Sequence, residues 1–187
     1  MTLAVNHVDA GDVVLRKAHD ADREGLMEIM TDPDVRAYIG GPRPRNDVER
    51  FLDERGTHAA TAAAGAFVVA EKSSDRFAGT MTLDYRHSDL PGHVTPGGGE
   101  LELSYVFRRD SWGKGWAHRA ALALLGAAAA ELSDRPVLVA TQSANARSVK
   151  LLRRLGFEPV STFFQFDAEQ ILATAPLQRF ATDQPRG

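Results

Sequence analysis

The chain reads as a single α/β domain of the mixed α+β kind, a sheet flanked by helices, on three observations. Short β-prone runs recur at Ala66 to Glu71, Phe77 to Tyr85 and Glu100 to Phe107, the last with clean two-residue alternation. Between and after them lie segments whose apolar residues return at helical spacing, giving the order strand, helices, three strands, helix, strand, helix, strand. The 187 residues can bury an ordinary core without metal or disulfide, and no repeat, low-complexity segment or composition break divides them. One domain over residues 1–187 is therefore expected.

The elements follow in order. Asp12 to Lys17, DVVLRK, is a short β-prone run. Asp20 is placed to cap a helix carrying Glu24, Leu26, Ile29 and Met30, and Thr31-Asp32-Pro33 reads as a second start with proline at the first helical position. Asn46 with Glu49 makes a capping-box-like opening for a third helix, with Val48, Phe51 and Leu52 on one side. The strands at Ala66 and Phe77 are joined by KSSDR, short enough for an antiparallel hairpin. RHSDLPGHVTPGGG, Arg86 to Gly99, is loop; a loop that long either borders a substrate entrance or is idle surface.

In ELELSYVF, Glu100, Glu102 and Ser104 fall on one face of the strand and Leu101, Leu103 and Tyr105 on the other, so Tyr105 is expected in the core. Residues 113 to 132 form an Ala/Leu-rich helix, Pro136 to Thr141 a buried strand and Asn145 to Leu155 another helix. Arg147, Lys150, Arg153 and Arg154 gather on one side of that last helix, with Leu151, Leu152 and Leu155 on the other and Ser148 within the apolar stripe. A final β-prone segment runs from Phe157 to Phe166.

Composition closes several routes. The chain has no cysteine, which removes thiolate nucleophiles, zinc thiolates and disulfides together, so covalent catalysis would need Ser, Thr or Lys. A net charge of -3 and a pI near 6.1 argue against a protein that works by neutralising nucleic-acid backbone, while leaving room for a basic face toward one small phosphorylated ligand. MTLAVNHVDAGD places Asn6, His7 and Asp9 where a secretory signal needs an apolar core, so a cytoplasmic location is expected. The longest apolar run, Ala120 to Ala130, is bracketed by Arg119 and Glu131 and reaches about half the length a bilayer demands, so no membrane partner is expected.

Chemistry concentrates at WGKGWAHRA, residues 112 to 120. Strand, glycine loop and helix start in succession make an anion site, because first-turn amides have no partner within the helix and the macrodipole adds partial positive charge. It is not a Walker A loop, since Lys114 is not followed by Ser or Thr, and the third glycine of the dinucleotide fingerprint has no counterpart. Taken alone, the loop is as well explained by a tight turn.

With TQSANARSVKLLRRLGF, residues 141 to 157, added to that loop, the chain resembles the GNAT superfamily of acyl-CoA-dependent N-acyltransferases, particularly the branch of ribosomal-protein N-terminal acetyltransferases. LRKAHDAD, DPDVRAYIGG and the E-L-S-Y-V-F strand extend the resemblance over most of the chain. It implies a central, mostly antiparallel, twisted sheet flanked by helices, acetyl-CoA as co-substrate without a metal, and a primary amine as acceptor. A protein N-terminus, a free amino acid, a polyamine and an amino sugar all remain open. It also implies that two chains can share the sheet edge or the C-terminal region.

Site residues follow from the same resemblance. In the pyrophosphate loop, Q/R-x-x-G-x-G/A, Trp112 takes the first position, Gly115 the fourth and Ala117 the last, with tryptophan departing from the general pattern. The amides of Gly113, Lys114, Gly115, Trp116, Ala117 and His118 would hold the CoA pyrophosphate, and the backbone of Val106, Phe107 and Arg108 the pantetheine arm. Asn145 and Ser148 match the N-x-x-A/S positions lining that arm. Against these stand simpler accounts: Asn145 as a helix cap, Ser148 bonding a carbonyl one turn back, the basic face as solvated surface, and Trp112 and Trp116 as packing.

An amine acceptor must lose a proton before it attacks, its pKa being about 8 as an α-amine or about 10 as a lysine. Glu102 is the expected general base, directly or through a water, with Glu100 in reserve and His87 and His93 as alternatives to a plain surface role. Backbone N–H of Val106 or Phe107 would meet the developing oxyanion. Many family members place a tyrosine acid where this chain has Leu152, so the acid, if one is used, is Ser148 or Ser143. Leu152 also keeps open a second class of function, a non-catalytic acyl-CoA-binding regulatory domain.

Overall fold

The structure, a computed structural model, describes residues 3–96 and 98–181. Its strands are β1 (His7–Asp9), β2 (Val13–Arg16), β3 (Ala66–Glu71), β4 (Phe77–Tyr85), β5 (Leu101–Phe107), β6 (Pro136–Gln142), β7 (Glu158–Gln165) and β8 (Ala168–Pro176). They form one sheet in the order β1-β2-β3-β4-β5-β6-β8-β7. Its longer helices are α1 (Arg23–Thr31), α2 (Arg45–Arg55), α3 (Trp116–Glu131) and α4 (Ala146–Leu155). Strand periodicity divides the core. Phe67 and Val69 of β3 join Leu101, Leu103, Leu124 and Leu125 beneath α3, while Val68 and Ala70 turn to Leu26, Ile29, Val48 and Leu52 of α1 and α2.

Neighbouring strands are antiparallel except β5 and β6, which run parallel through the α3 crossover. That pair is short. It matches Leu101 with Val137 and Glu102 with Leu138, whereas β4 follows β5 from Leu101 to Phe107 and β8 follows β6 along its whole length. Beyond Glu102 the two strands part, and the middle of the sheet opens into a wedge.

Several elements differ from the sequence expectation. Strand β1 pairs with β2 over three residues whose polar content hid it. Asp20 does not cap α1; it opens a short 3-10 turn, Asp20–Asp22, and the Asp22 carboxylate instead accepts the His19 amide and pairs with Arg16. Thr31-Asp32-Pro33 starts no helix: Asp32 Oδ1 takes the amides of Asp34 and Val35 at 2.8 and 3.0 Å, and Arg36 then binds the carbonyls of Ile39 and Gly41. Local side-chain bonds thus out-compete helix propagation there. Helix α2 begins at Arg45 behind Pro44, and Glu49 pairs with Arg45 rather than completing a capping box. The last β-prone segment is followed by a further strand, β8, reached through Phe166 and Asp167 at φ 54° and 55°. That turn lacks the glycine that would have announced it.

Candidate active site

The wedge between β5 and β6 holds a cleft of about 700 Å³. One wall is the end of β5 and the loop into α3, the opposite wall is the start of α4, and the far end reaches Asp34, Val35, Tyr38 and Ile39. Val35 packs with Val106 against the α1–α2 core, so the cleft passes from the α3–α4 face of the sheet to the α1–α2 face.

Helix α3 opens on this cleft without a side-chain cap. Gly115 precedes it at φ 78°, Gly113 stands at φ 77°, and a Cβ built on either would meet no protein atom within 4 Å. Close packing therefore does not explain these glycines. Their left-handed backbone does, and the space beside them is open. The first backbone bond of the helix runs from Arg119 N–H to Gly115 O, which leaves the amides of Trp116, Ala117 and His118 without partners inside it.

Positive side chains surround the cleft. Arg147, Lys150 and Arg154 of α4 line it, Arg153 does not, and the carboxylate of Asp34 is taken by Arg109 at 2.5 Å. The Arg147 guanidinium sits 4.5 Å over the Trp112 ring. Trp112 Nε1–H in turn donates to Phe107 O at 2.9 Å and fixes the loop against the end of β5. Trp116 is a core residue under Lys114, whose ammonium lies 4.3 Å over its ring; Lys114 is outside the cleft lining.

The expected pantetheine wall is placed in part. Arg108 N–H donates to Ala78 O and its guanidinium reaches Glu28 at 2.8 Å, so this residue serves β4 and α1 rather than the cleft. With unbroken register between β4 and β5, the Val106 amide belongs to the same ladder, and those of Tyr105 and Phe107 point toward the wedge. Asn145 caps α4, its Oδ1 accepting the Ser148 amide at 3.2 Å. Ser148 makes no bond to a carbonyl one turn back. Its Oγ lies 2.6 Å from Tyr105 Oη instead. Ser143 turns to Glu169 O, and Leu152 is buried in the core.

Tyr105 packs on the main core, as expected, and also lines the cleft, which the sequence did not announce; burial pushes its phenol pKa up. Asp34, Val35, Tyr38 and Ile39 carried no motif that could have found them.

The two carboxylates separate sharply. Glu100 is fully enclosed: Oε1 accepts the amides of Val94 and Thr95, both at 2.7 Å, and Oε2 meets His93 Nδ1 at 3.0 Å. Burial opposes its ionisation, but His93 and the amides of Thr95, Glu100 and Val94 outweigh it and hold the carboxyl at about 2. It anchors the loop, and neither Glu100 nor His93 lines the cleft. Glu102 keeps a side chain 21% exposed on the α1–α2 face, one oxygen held 2.6 Å from Arg86 Nη1. It is not part of the cleft lining, nor is any described residue of 86–99, and His87 faces solvent beside Asp89. Among the described residues no His/Cys/Asp/Glu cluster of metal-site size occurs, and no helix is long and apolar enough to cross a membrane.

Residues 12–158 match the family model described as an acetyltransferase (GNAT) domain. An uncharacterized N-acetyltransferase p20 of Bacillus licheniformis is 26% identical over 149 residues, which is 78% of this chain and 79% of that protein. An acetyltransferase (GNAT family) from Bacillus anthracis has the same fold, with a TM-score of 0.73 at 19% identity over 92% of this chain and 99% of that one. So does the ribosomal L7/L12 alpha-N-protein acetyltransferase RimL in complex with coenzyme A, with a TM-score of 0.68 at 12% identity over 92% of this chain and 98% of that one.

Proposed function

Because the chain belongs to the GNAT acetyltransferase family, we propose that it is an acetyl-CoA-dependent N-acetyltransferase. It passes the acetyl group to a primary amine, either a protein N-terminus or a small-molecule amine, by direct attack in a ternary complex. The observation that carries this reading is the uncapped start of α3, with open space beside Gly113 and Gly115, at the mouth of a cleft lined by Arg147, Lys150 and Arg154. A diphosphate answers to that arrangement, since it accepts from several amides at once and meets cations rather than carboxylates. The coenzyme A carried by the RimL neighbour of the same fold supports the same ligand.

The wedge divides the labour. The pantetheine arm would run along the open edge of β5, where Tyr105 and Phe107 offer amides; one of these also serves the thioester oxygen as it gains charge. The sulfur falls on the side of Ser148. The amine comes from the α1–α2 face, past Tyr38 and Ile39, where Glu102 stands. Nucleophile and leaving group are thus on opposite sides of the sheet. Glu102 is three residues from Tyr105, about 10 Å along the strand, so it takes the amine proton through water rather than directly. The leaving thiol, with a pKa of about 8.5, needs little help to depart.

The test is release of free CoA thiol from acetyl-CoA across a panel of peptides, amino acids, polyamines and amino sugars, with mass detection of the acetylated product. Glu102→Gln is expected to lower kcat by about a hundredfold while leaving CoA affinity unchanged; an unchanged rate removes Glu102 from the mechanism. Tight CoA binding with no turnover on any amine would replace this reading by the non-catalytic acyl-CoA-binding domain, and no CoA binding would end both.

A further inference from the structure

Ser148 stands at the cleft with its backbone and side chain both spoken for. The amide is fixed by Asn145, and Oγ lies 2.6 Å from the Tyr105 hydroxyl. Either hydroxyl can donate across this contact; the phenol is the stronger acid, and with Tyr105 O–H donating, Ser148 Oγ accepts. The serine hydrogen is then free. It is not spent on the helix carbonyl one turn back, the usual fate of a serine inside a helix. The neighbouring serines are engaged elsewhere: Ser111 Oγ turns to Asp110 and Ser143 to Glu169, position 152 is a buried leucine, and the other tyrosine of the cleft, Tyr38, stands at its far end.

We propose that Tyr105 is a positioning residue for acyl transfer, setting Ser148 Oγ so that the serine O–H points at the CoA sulfur and holds the charge it acquires. This rests on the acetyltransferase reading and extends it to a residue on β5. In the transfer step the nitrogen–carbon bond forms and the carbon–sulfur bond breaks, its electron pair remaining on sulfur. The amine proton goes to Glu102 through water, and the thiolate leaves as such or takes a solvent proton. Neither hydroxyl need lose its proton. Burial of the phenol keeps Tyr105 protonated through the neutral range, as a donor must be.

The experiment compares CoA with desulfo-CoA, in which hydrogen replaces the thiol, by calorimetry from pH 6 to 9. Free CoA thiol ionises near about 8.5. A hydroxyl aimed at sulfur favours thiolate over thiol, so wild-type affinity for CoA relative to desulfo-CoA should climb as pH rises through that range. Tyr105→Phe should lose most of the climb, and Ser148→Ala all of it. With any amine that turns over, Tyr105→Phe should lower kcat about tenfold, as loss of one oriented hydrogen bond, while KM for acetyl-CoA stays within about twofold. In the Ser148→Ala background the same change should do nothing further, because the two act as one unit. Additive losses in the double variant, or an unaltered pH climb in Tyr105→Phe at a wild-type melting temperature, would overturn the proposal while leaving the acetyltransferase reading intact. Failure of the wild type to bind CoA would instead bring down that reading, and this one with it.

Discussion

The two flanks of β5 treat their polar groups in opposite ways. Toward α3 and α4, the first-turn amides of α3 lack intrahelical partners, two glycines leave open space, and Arg147, Lys150 and Arg154 face a cleft whose one carboxylate is already taken. Toward loop 86–99, Glu100 consumes two amides and an imidazole, and the buried Arg86 guanidinium binds Glu102 and the Pro91 carbonyl. Even there Arg86 Nε and His93 Nε2 stay buried without a partner among the described residues. Charges that a protein satisfies from within can hold a loop. Those it leaves facing outward can hold a ligand.

The largest expected effect breaks the open flank. Gly115→Asp puts a side chain at φ 78°, which costs about 1–2 kcal/mol, and an anion near the diphosphate, where a like charge at about 4 Å costs roughly 4 kcal/mol at an effective dielectric of about 20. The strain burdens free and bound protein alike, so the charge sets the loss in affinity, about a thousandfold in calorimetry. Gly115→Ala separates the two causes, since it keeps the strain, adds no charge and meets no atom within 4 Å. It should cost about tenfold or less.

Glu100→Gln attacks the closed flank and should give the inverse pattern, with CoA affinity unchanged and stability reduced. Its carboxyl lies at about 2 instead of the ordinary 4.5, so folding holds its proton off. The stabilisation is fully present above pH 4.5 and is lost as pH falls toward 2. At pH 7 the variant should lose about 2 kcal/mol, less than the full shift implies because the loop lies close to solvent. Urea unfolding in a pH series checks the sign: the gap between wild type and variant must narrow on acidification. A gap that widened would mean that His93 and the two amides do not favour the ionised carboxylate.

How much of this was legible differs along the chain for physical reasons. β3, β4, β5 and β6 announced themselves by alternation or by an unbroken apolar run, and α3 and α4 by their apolar stripes, because burial of one face imposes those periods. The wedge did not, since it depends on where β6 stops pairing with β5, a fact of twist and crossover rather than of any residue. Tyr105 shows the consequence. Its side of the strand was read correctly, but that side is core along Leu101 and Leu103 and becomes cleft at Tyr105. Glu100 and Glu102 share one face of the strand as sequence; only the chain after β4, whose Val94 and Thr95 amides and His93 close over Glu100 while Arg86 alone meets Glu102, makes one a buried anchor and leaves the other half-buried. Strand β8 was missed because its turn, Phe166-Asp167, adopts positive φ without glycine.

The smallest expected effect tests whether the open flank is confined to α3. Helix α4 also starts at the cleft, but Asn145 caps it, and that Oδ1 is spent on the Ser148 amide. Asn145→Ala should lower stability by about 1 kcal/mol, the ordinary loss of a cap. If the carboxamide serves only the helix, added CoA should stabilise variant and wild type by the same increment, because ligand linkage depends on affinity alone. Melting curves with and without CoA decide it. Equal increments leave the free donors to α3, whereas a smaller increment in the variant would mean that the Asn145 side chain also reaches the cofactor arm, and that the two helix starts share the ligand.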